Sequence, residues 1–505
     1  MIKKYVKRIA AALLGMIALV VVVFAAMVFW PEERLEVVRT EGAFAISGVS
    51  IVDVRRGVVL SPQTVVVDAG RIRSIGTAAP RGVRQIDGRG KFLVPAFWDM
   101  HTHVLAVTPL LDLPLYIAYG VTNVRDMQGC PKAGDPFVSC PAEKRRWTAE
   151  AIAGQRVGPR IVATTSWMAN GAGMVARLGD VPAYFDTATP DQTRQFVRHF
   201  AGEVDAIKVY DRLPRDAYFA LVDEARRRNV DVVGHRPYGV SAIEAAAHQK
   251  SIEHARFILH ESFAGSEELR KRPAAQWREE RQRMLDQHDP RRADAIFAAM
   301  REHGTWYVPT HLTRWSDAYA DHPSLRNDPL LRYVHPLLQR QWLEDIDETL
   351  ADDPSPAARE TYRQFYRKGL ALTGAAHRAG VKVLAGSDYL VAGADLHREL
   401  QQLAAAGLPP AEVLRAATLY PAQYFGLEEH HGSVEAGRVA DLVLLDANPL
   451  HDIRNTERIA AVVFNGHYHD RDALDRIGRH VERRARSWTI GSKIIWRFLK
   501  NPAGY

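Results

Sequence analysis

Between residues 97 and 388, short apolar runs alternate with charged segments of helical length. Parallel strands need a long crossover between them, usually a helix, so this rhythm predicts a parallel α/β fold. Eight runs stand out: 97–101, 121–125, 160–164, 206–210, 231–235, 251–254, 306–311 and 381–388. The stretch 217–229 is the clearest helix between them, with Tyr218, Leu221, Val222 and Ala225 on one face and arginines at its end. Eight strand–helix units predict a (β/α)8 TIM barrel. Two connections, 256–305 and 312–380, are long, charged and aromatic-rich. They are expected to be helical, as lids or contacts in a homo-oligomer.

The chain of 505 residues is longer than one barrel needs. Segments of β texture flank the barrel, at 43–67 and 72–75 before it and at 434–445 and 460–465 after it, the last ending in an Asn465-Gly466 turn. The economical division is a composite β-sandwich from 42–92 and 426–470, around a barrel over 93–425. A basic amphipathic tail occupies 471–505, and a basic segment with a transmembrane anchor occupies 1–35. Residues 9–30 carry no charge, a run long enough to cross a hydrocarbon core of about 30 Å. Lys3, Lys4, Lys7 and Arg8 precede it, so the anchor would leave the N-terminus in the cytoplasm and the body outside, in the periplasm of a bacterial inner membrane. The rival is a signal peptide cleaved near Val23-Phe24-Ala25. Cys130 and Cys140 flank a loop containing Pro131, Gly134 and Pro136, and either form a disulfide in an exported body or remain free thiols.

The formal charge is +7, concentrated at the two ends. The four basic residues before the apolar run and nine Lys/Arg against three acidic residues in 471–505 leave the body slightly acidic. That distribution excludes a nucleic-acid groove and suits a membrane surface. Within the tail, Trp488, Ile490, Ile494, Ile495, Trp496, Phe498 and Leu499 interleave with the basic residues, so 476–500 either lies on lipid or packs against the barrel or another subunit.

Several strand ends carry metal-ligating side chains. His101-Thr102-His103 ends the first run, and residues i and i+2 of a strand share a face. His235 ends the fifth run, His254 the sixth and Asp388 the eighth. Lys208 lies among apolar residues of the fourth, where an ammonium is costly to bury. Barrel active sites form at this rim. The pattern predicts a metal centre of His101, His103, Lys208, His235, His254 and Asp388. Imidazoles and carboxylates suit Zn²⁺.

With these motifs and the 432–443 segment Gly-Ser-Val-Glu-Ala-Gly-Arg-Val-Ala-Asp-Leu-Val, residues 43–468 resemble the metal-dependent amidohydrolase superfamily. The closest branch is the imidazolonepropionase-like and Xaa-Pro dipeptidase-like one. The resemblance implies that His101 and His103 bind the more buried of two zinc ions. His235 and His254 would bind the second, and Lys208, carboxylated by carbon dioxide, would bridge both. Asp388 would bind the first ion and shuttle the proton. The reaction implied is hydrolysis of the amide bond of dipeptides or N-acyl amino acids by a metal-activated hydroxide. Lactone or cyclic-amide hydrolysis and deamination are the alternatives on the same centre. A non-catalytic binding scaffold would be marked by a missing ligand, and none is missing.

Peptidase-like relatives read His-Ala-His-Gly at the fifth strand, where this chain reads His235-Arg236-Pro237-Tyr238-Gly239. Arg236 either binds a substrate carboxylate or pairs away from the site. Tyr210 either assists the tetrahedral intermediate or packs, and the same choice holds for His311. His397 is expected to be structural or to support a ligand.

Overall fold

A computed structural model describes residues 2–500 apart from 32, 34 and 79. Seven parallel strands, hydrogen-bonded in chain order, make most of a barrel: Phe97–Thr102, Val121–Asp126, Arg160–Ala169, Ala206–Val209, Asp231–Gly234, Ser251–Glu253 and Trp306–Val308. They are short and buried nearly throughout, as strands covered by helices must be. The helices between them start on local signals. Thr189 with Gln192 and Ser241 with Glu244 form capping boxes, and Pro190, Pro290 and Pro356 occupy first helical positions.

The eighth run is not a regular strand. It closes the ring with single bonds: Tyr307 N donates to the Lys382 carbonyl (3.0 Å), Leu384 N to that of Tyr307 (2.8 Å) and Asp388 N to that of His101 (2.9 Å). Two causes are visible. The amide of Ser387 donates to the Asp99 carboxylate at 2.9 Å rather than to a neighbouring strand. The backbone also runs so close to the first strand that a Cβ on Gly386 would lie 2.7 Å from the His101 Cβ and 2.9 Å from its nitrogen. The seventh run likewise stops early, at Val308. Thr310 takes a left-handed φ of 46° and His311 opens a helix, its amide bonding Glu399 Oε1 at 2.9 Å.

A nine-stranded sheet is assembled from both sides of the barrel. The long strand Phe44–Asp53 shifts register between Ile46 and Val49. It pairs with Gln63–Asp68 on both sides of the shift, with Arg84–Asp87 before it and with Phe92–Pro95 after it. Phe92–Pro95 then pairs with Leu442–Leu445, so the chain entering the barrel is bonded to the chain that has left it. The two sequence-distant halves share one apolar core of Ile46, Val49, Val65, Leu93, Leu442 and Val463.

The helix Ile2–Val28 contains an apolar window with mean hydropathy 2.9, none of it buried. Its length and composition are those of a transmembrane span or a signal sequence. The tail forms two helices rather than one. Arg471–Ala485 packs on the barrel, burying Leu474, Ile477 and Val481. Trp488–Lys500 buries Ile490 and Ile494 but leaves Trp488 84% exposed and Leu499 64% exposed. Its Lys493 donates to the Trp30 carbonyl (2.9 Å), and its Arg497 donates to the carbonyl of Pro136 (2.6 Å).

Cys130 and Cys140 are disulfide-bonded, with Cα atoms 4.7 Å apart. The bridge closes the loop on which Arg497 docks. In the chain-entropy account a loop of this size contributes about 2–3 kcal/mol. Cys130→Ser/Cys140→Ser protein should therefore melt at a lower temperature than the parent in the same detergent. An unchanged midpoint would show that the loop is held by its other contacts alone.

Candidate metal centre

The strand ends converge as the sequence pattern requires. His101, His254 and Asp388 bring ligand atoms within 4.8 Å of one another. Asp388 Oδ1 lies 3.1 Å from His103 Nε2 and 3.6 Å from His101 Nε2, and its Oδ2 lies 3.6 Å from His254 Nδ1. The His235 ring stands 4.3 Å from that of His254. Lys208 is buried beside them, with its ammonium 5.7 Å from the centre of the Tyr210 ring.

Backbone geometry sets these positions. Gly234 carries φ +117°, and a Cβ there would meet the Val209 carbonyl oxygen at 2.4 Å. Only glycine lets the fifth strand approach the fourth so closely, and His235 follows at once, its amide bonding Val209. His254, Thr310 and Asp388 all hold positive φ without being glycine. Each such residue costs about 1–3 kcal/mol and persists only where its surroundings enforce it.

The supporting groups fix the imidazoles. His101 Nδ1 lies 3.0 Å from Glu253 Oε2. Glu253 accepts two 2.9 Å bonds from Arg125 and one of 2.6 Å from Ser251. A carboxylate can only accept, so the His101 proton sits on Nδ1 and the Nε2 lone pair faces Asp388. His103 Nδ1 pairs with Gln128 Oε1 at 2.7 Å, which turns its Nε2 the same way. His254 Nδ1 bonds Thr310 Oγ1 at 2.7 Å. The His235 Nδ1, although buried, has no hydrogen-bond partner among the described residues.

Burial governs the charges. It pushes the His101, His235 and His254 pKa values down, the last two well down, so all three are neutral donors. It also pushes the Lys208 ammonium down to about 8, against the pull of Asp388 and Glu253. Asp99, beneath the cluster, is pushed up to about 6 by burial although Ser387 and His101 donate to it. Lone pairs of two imidazoles and a carboxylate converging on one point, beside an unpartnered imidazole nitrogen, fit a cation.

Two expected site residues are elsewhere. Arg236 turns back into its own loop, donating to the carbonyls of Pro237, Tyr238 and Val240, and it faces Glu261 at 3.3 Å. Three local carbonyls on one of its nitrogens and the buried Glu261 hold the guanidinium in its own loop, although its Nε finds no hydrogen-bond partner among the described residues. His311 is drawn outward, with Nε2 bonded to Thr373 on the long helix at 2.9 Å, because the strand has already ended and its residue is helical. Tyr210 does remain at the site, its ring 3.8 Å from that of His235. His397 bonds Thr456 and the Tyr119 carbonyl, a structural place. Glu253 and Arg125 escaped the sequence reading, although each is a charged residue inside an apolar strand run, the same signal that singled out Lys208.

Fold and donor set together define a parallel barrel with a candidate metal site at its rim. The sequence matches the amidohydrolase family over residues 92–468, and the chain belongs to that family. It is thus a hydrolase acting on carbon–nitrogen bonds. A search of curated proteins gave no match. Among solved structures, a bottromycin amidohydrolase is 22% identical, covering 92% of this chain and 94% of its own, with a TM-score of 0.64. A putative prolidase from Bifidobacterium longum is 22% identical over 87% of this chain and 99% of its own, at 0.57. A Xaa-Pro dipeptidase with methionine bound in its active site is 19% identical over 85% of this chain and 100% of its own, at 0.59.

Removing one partner of a buried ion pair costs about 3–5 kcal/mol, and loss of a group that orients a ligand typically costs 10–100-fold in metal affinity. Glu253→Gln protein should show both effects, in a melting curve and in competition with a chelator. Undiminished affinity would mean that His101 is oriented without Glu253.

Proposed function

We propose that this chain is a zinc-dependent hydrolase of dipeptides or N-acyl amino acids, anchored by its N-terminal helix with the barrel on the outer side of a bacterial inner membrane. The observation that carries the reading is the convergence of His101, His103, His254 and Asp388, with His235 and Lys208 alongside. The prolidase and dipeptidase names among the structural neighbours support the substrate class. The disulfide and the basic residues before the apolar helix support the exported orientation.

His101, His103 and Asp388 would hold one ion, His235 and His254 a second. Bound there, zinc would supply Lewis acidity toward the amide carbonyl and lower the pKa of an attacking water. Asp388 takes the proton of that water on a carboxylate oxygen and returns it to the leaving nitrogen, so that the amine departs neutral. Tyr210, beside His235, is placed to donate its hydroxyl to the developing oxyanion. Lys208 needs a neutral amine to react with carbon dioxide, forming an N–C bond and releasing a proton. A pKa near 8 leaves part of the population neutral at physiological pH, a fraction that rises with pH. Water is excluded from beneath the cluster by the buried Arg125–Glu253 pair and Tyr424.

Zinc-loaded full-length protein should release amino acids from a panel of dipeptides and N-acyl amino acids, and His101→Ala/His103→Ala protein should not. Asp388→Asn should lower kcat by about 10²–10⁴-fold, the usual worth of a general acid–base. No release from metal-loaded protein would overturn the substrate class and move the search to lactones and cyclic amides. Lys208→Ala should reduce the zinc found by elemental analysis from two ions per chain to one. Two ions retained would rule out a bridging carbamate.

A further inference from the structure

A cavity of 680 Å³ lies at the same rim of the barrel, and its wall is cationic. Arg212, Arg256, Arg278, Arg281 and Arg314 line it, and no Asp or Glu does so among the described residues. These arginines come from the segments that follow the fourth, sixth and seventh strands and from the long insertion. Arg212 is two residues beyond Tyr210, and Arg256 two beyond His254. Arg256 donates to Asp211 at 2.9 Å, and Asp211 follows the Tyr210 whose ring touches His235. The cavity is thus joined to the metal cluster through adjacent residues of the rim.

The acids that accompany the arginines stand behind them. Arg314 pairs with Asp317 (2.8 Å), Arg281 with Asp353 (2.5 Å) and Arg278 with Asp352. Each guanidinium presents five N–H donors in a fixed fork, so a carboxylate behind it orients the group and leaves donors for the cavity. Arg212 has no carboxylate partner among the described residues. His260 also lines the wall. It is only 8% exposed, and its ring touches Trp277 and Phe365 without a hydrogen-bond partner among the described residues. Four of the five guanidiniums thus already have a carboxylate, Arg212 alone carries an unpaired charge among the described residues, and the forks of all five still offer N–H donors to one space.

A neutral amide uses none of these charged donors, and one carboxylate engages only one or two of the five forks. We infer that the cavity receives the far end of an amide substrate carrying at least two negative charges. The shared chemistry is that of a dicarboxylate, as in an acidic dipeptide or an N-acyl acidic amino acid, or of a phosphomonoester. Tyr238 and Trp277 on the wall offer flat faces to the carbon skeleton between the charges. The inference rests on the amide-hydrolase reading of the adjoining metal centre.

The test uses zinc-loaded full-length protein in detergent and three substrates of similar size: Ala-Glu, Ala-phosphoserine and Ala-Gln. Either or both dianionic substrates should exceed Ala-Gln in kcat/KM, chiefly through KM, and the better of the two identifies the source of charge. Arg212→Gln and Arg256→Gln should each weaken that preference by about 10–100-fold, the worth of a hydrogen bond to a charged group. Exposed Arg291→Gln should not. Melting curves identify a variant that fails to fold, and Arg212, which has no structural partner to lose, is the safer of the two. Equal rates for all three substrates, or a preference that Arg212→Gln leaves intact, would overturn the inference while leaving amide hydrolysis standing. If no dipeptide is cleaved, calorimetry with glutarate decides independently. Binding to the parent that Arg212→Gln abolishes keeps the inference, and no binding overturns it.

Discussion

The ion pair between Arg125 and Glu253 lies inside the barrel, beneath the metal cluster, and the site above is built on it. Arg125 reaches from the second strand to the Met100 carbonyl of the first (2.6 Å), to Ser251 and Glu253 of the sixth and to Tyr424 after the eighth segment. Both members are buried to within 2%. A pair so placed contributes little net stability, because its attraction mainly offsets the desolvation of two charges. What it does set is direction. Glu253 cannot donate, so it dictates which nitrogen of His101 carries the proton and which offers a lone pair. An uncharged acceptor could take the same hydrogen bond but would leave Arg125 uncompensated.

Strain is concentrated on the other half of the ring. His254, Thr310 and Asp388 sit at the ends of the sixth, seventh and eighth segments with positive φ, and Thr310 is β-branched, which makes that conformation harder to hold. Each is tied by a bond that reaches across the chain. His254 N donates to the Val308 carbonyl, Asp388 N to that of His101, and Thr310 pairs with the His254 ring. The irregular eighth segment belongs to the same arrangement. A ladder-regular strand would point Asp388 along the sheet, whereas the turn at Ser387, held by Asp99, swings its carboxylate over His101 and His103.

Periodicity made seven strands readable because each is a short apolar run bounded by charged helices. The eighth run has the same composition, but a side-chain carboxylate and a close backbone approach replace its ladder bonds, and no pattern in one dimension encodes that. The ligands were readable because they lie at strand ends, where position along the chain fixes position on the rim. His311 failed that test. It stands at the end of an apolar run just as His254 does, yet the strand stops at Val308 and the residue turns outward with its helix. Arg236 failed for a different reason: local carbonyls and the ion pair with Glu261 hold its guanidinium in its own loop. The five cavity arginines left no sequence signal, because they are spread from 212 to 314 and meet only in the folded chain.

The two chain ends meet on one side of the molecule. The N-terminal helix finishes at Val28, and the Trp30 carbonyl accepts a bond from Lys493 of the last helix, whose Ser492 contacts Met27. The same last helix reaches the disulfide loop, with Arg497 on the Pro136 and Ala106 carbonyls and the Phe498 ring 4.9 Å from Phe137. Ala106 lies three residues beyond His103, on the loop that leaves the metal cluster. A continuous path of packed side chains therefore runs from the apolar N-terminal helix through the tail and the bridged loop to the rim of the barrel. A tail that merely dangled in solvent would have no reason to bury Ile490 and Ile494 while keeping Trp488 and Leu499 bare. The last helix is instead two-sided, with one face packed on the body and the other left bare. The covalent bridge then serves orientation as much as stability, because it stiffens the loop through which that helix grips the barrel.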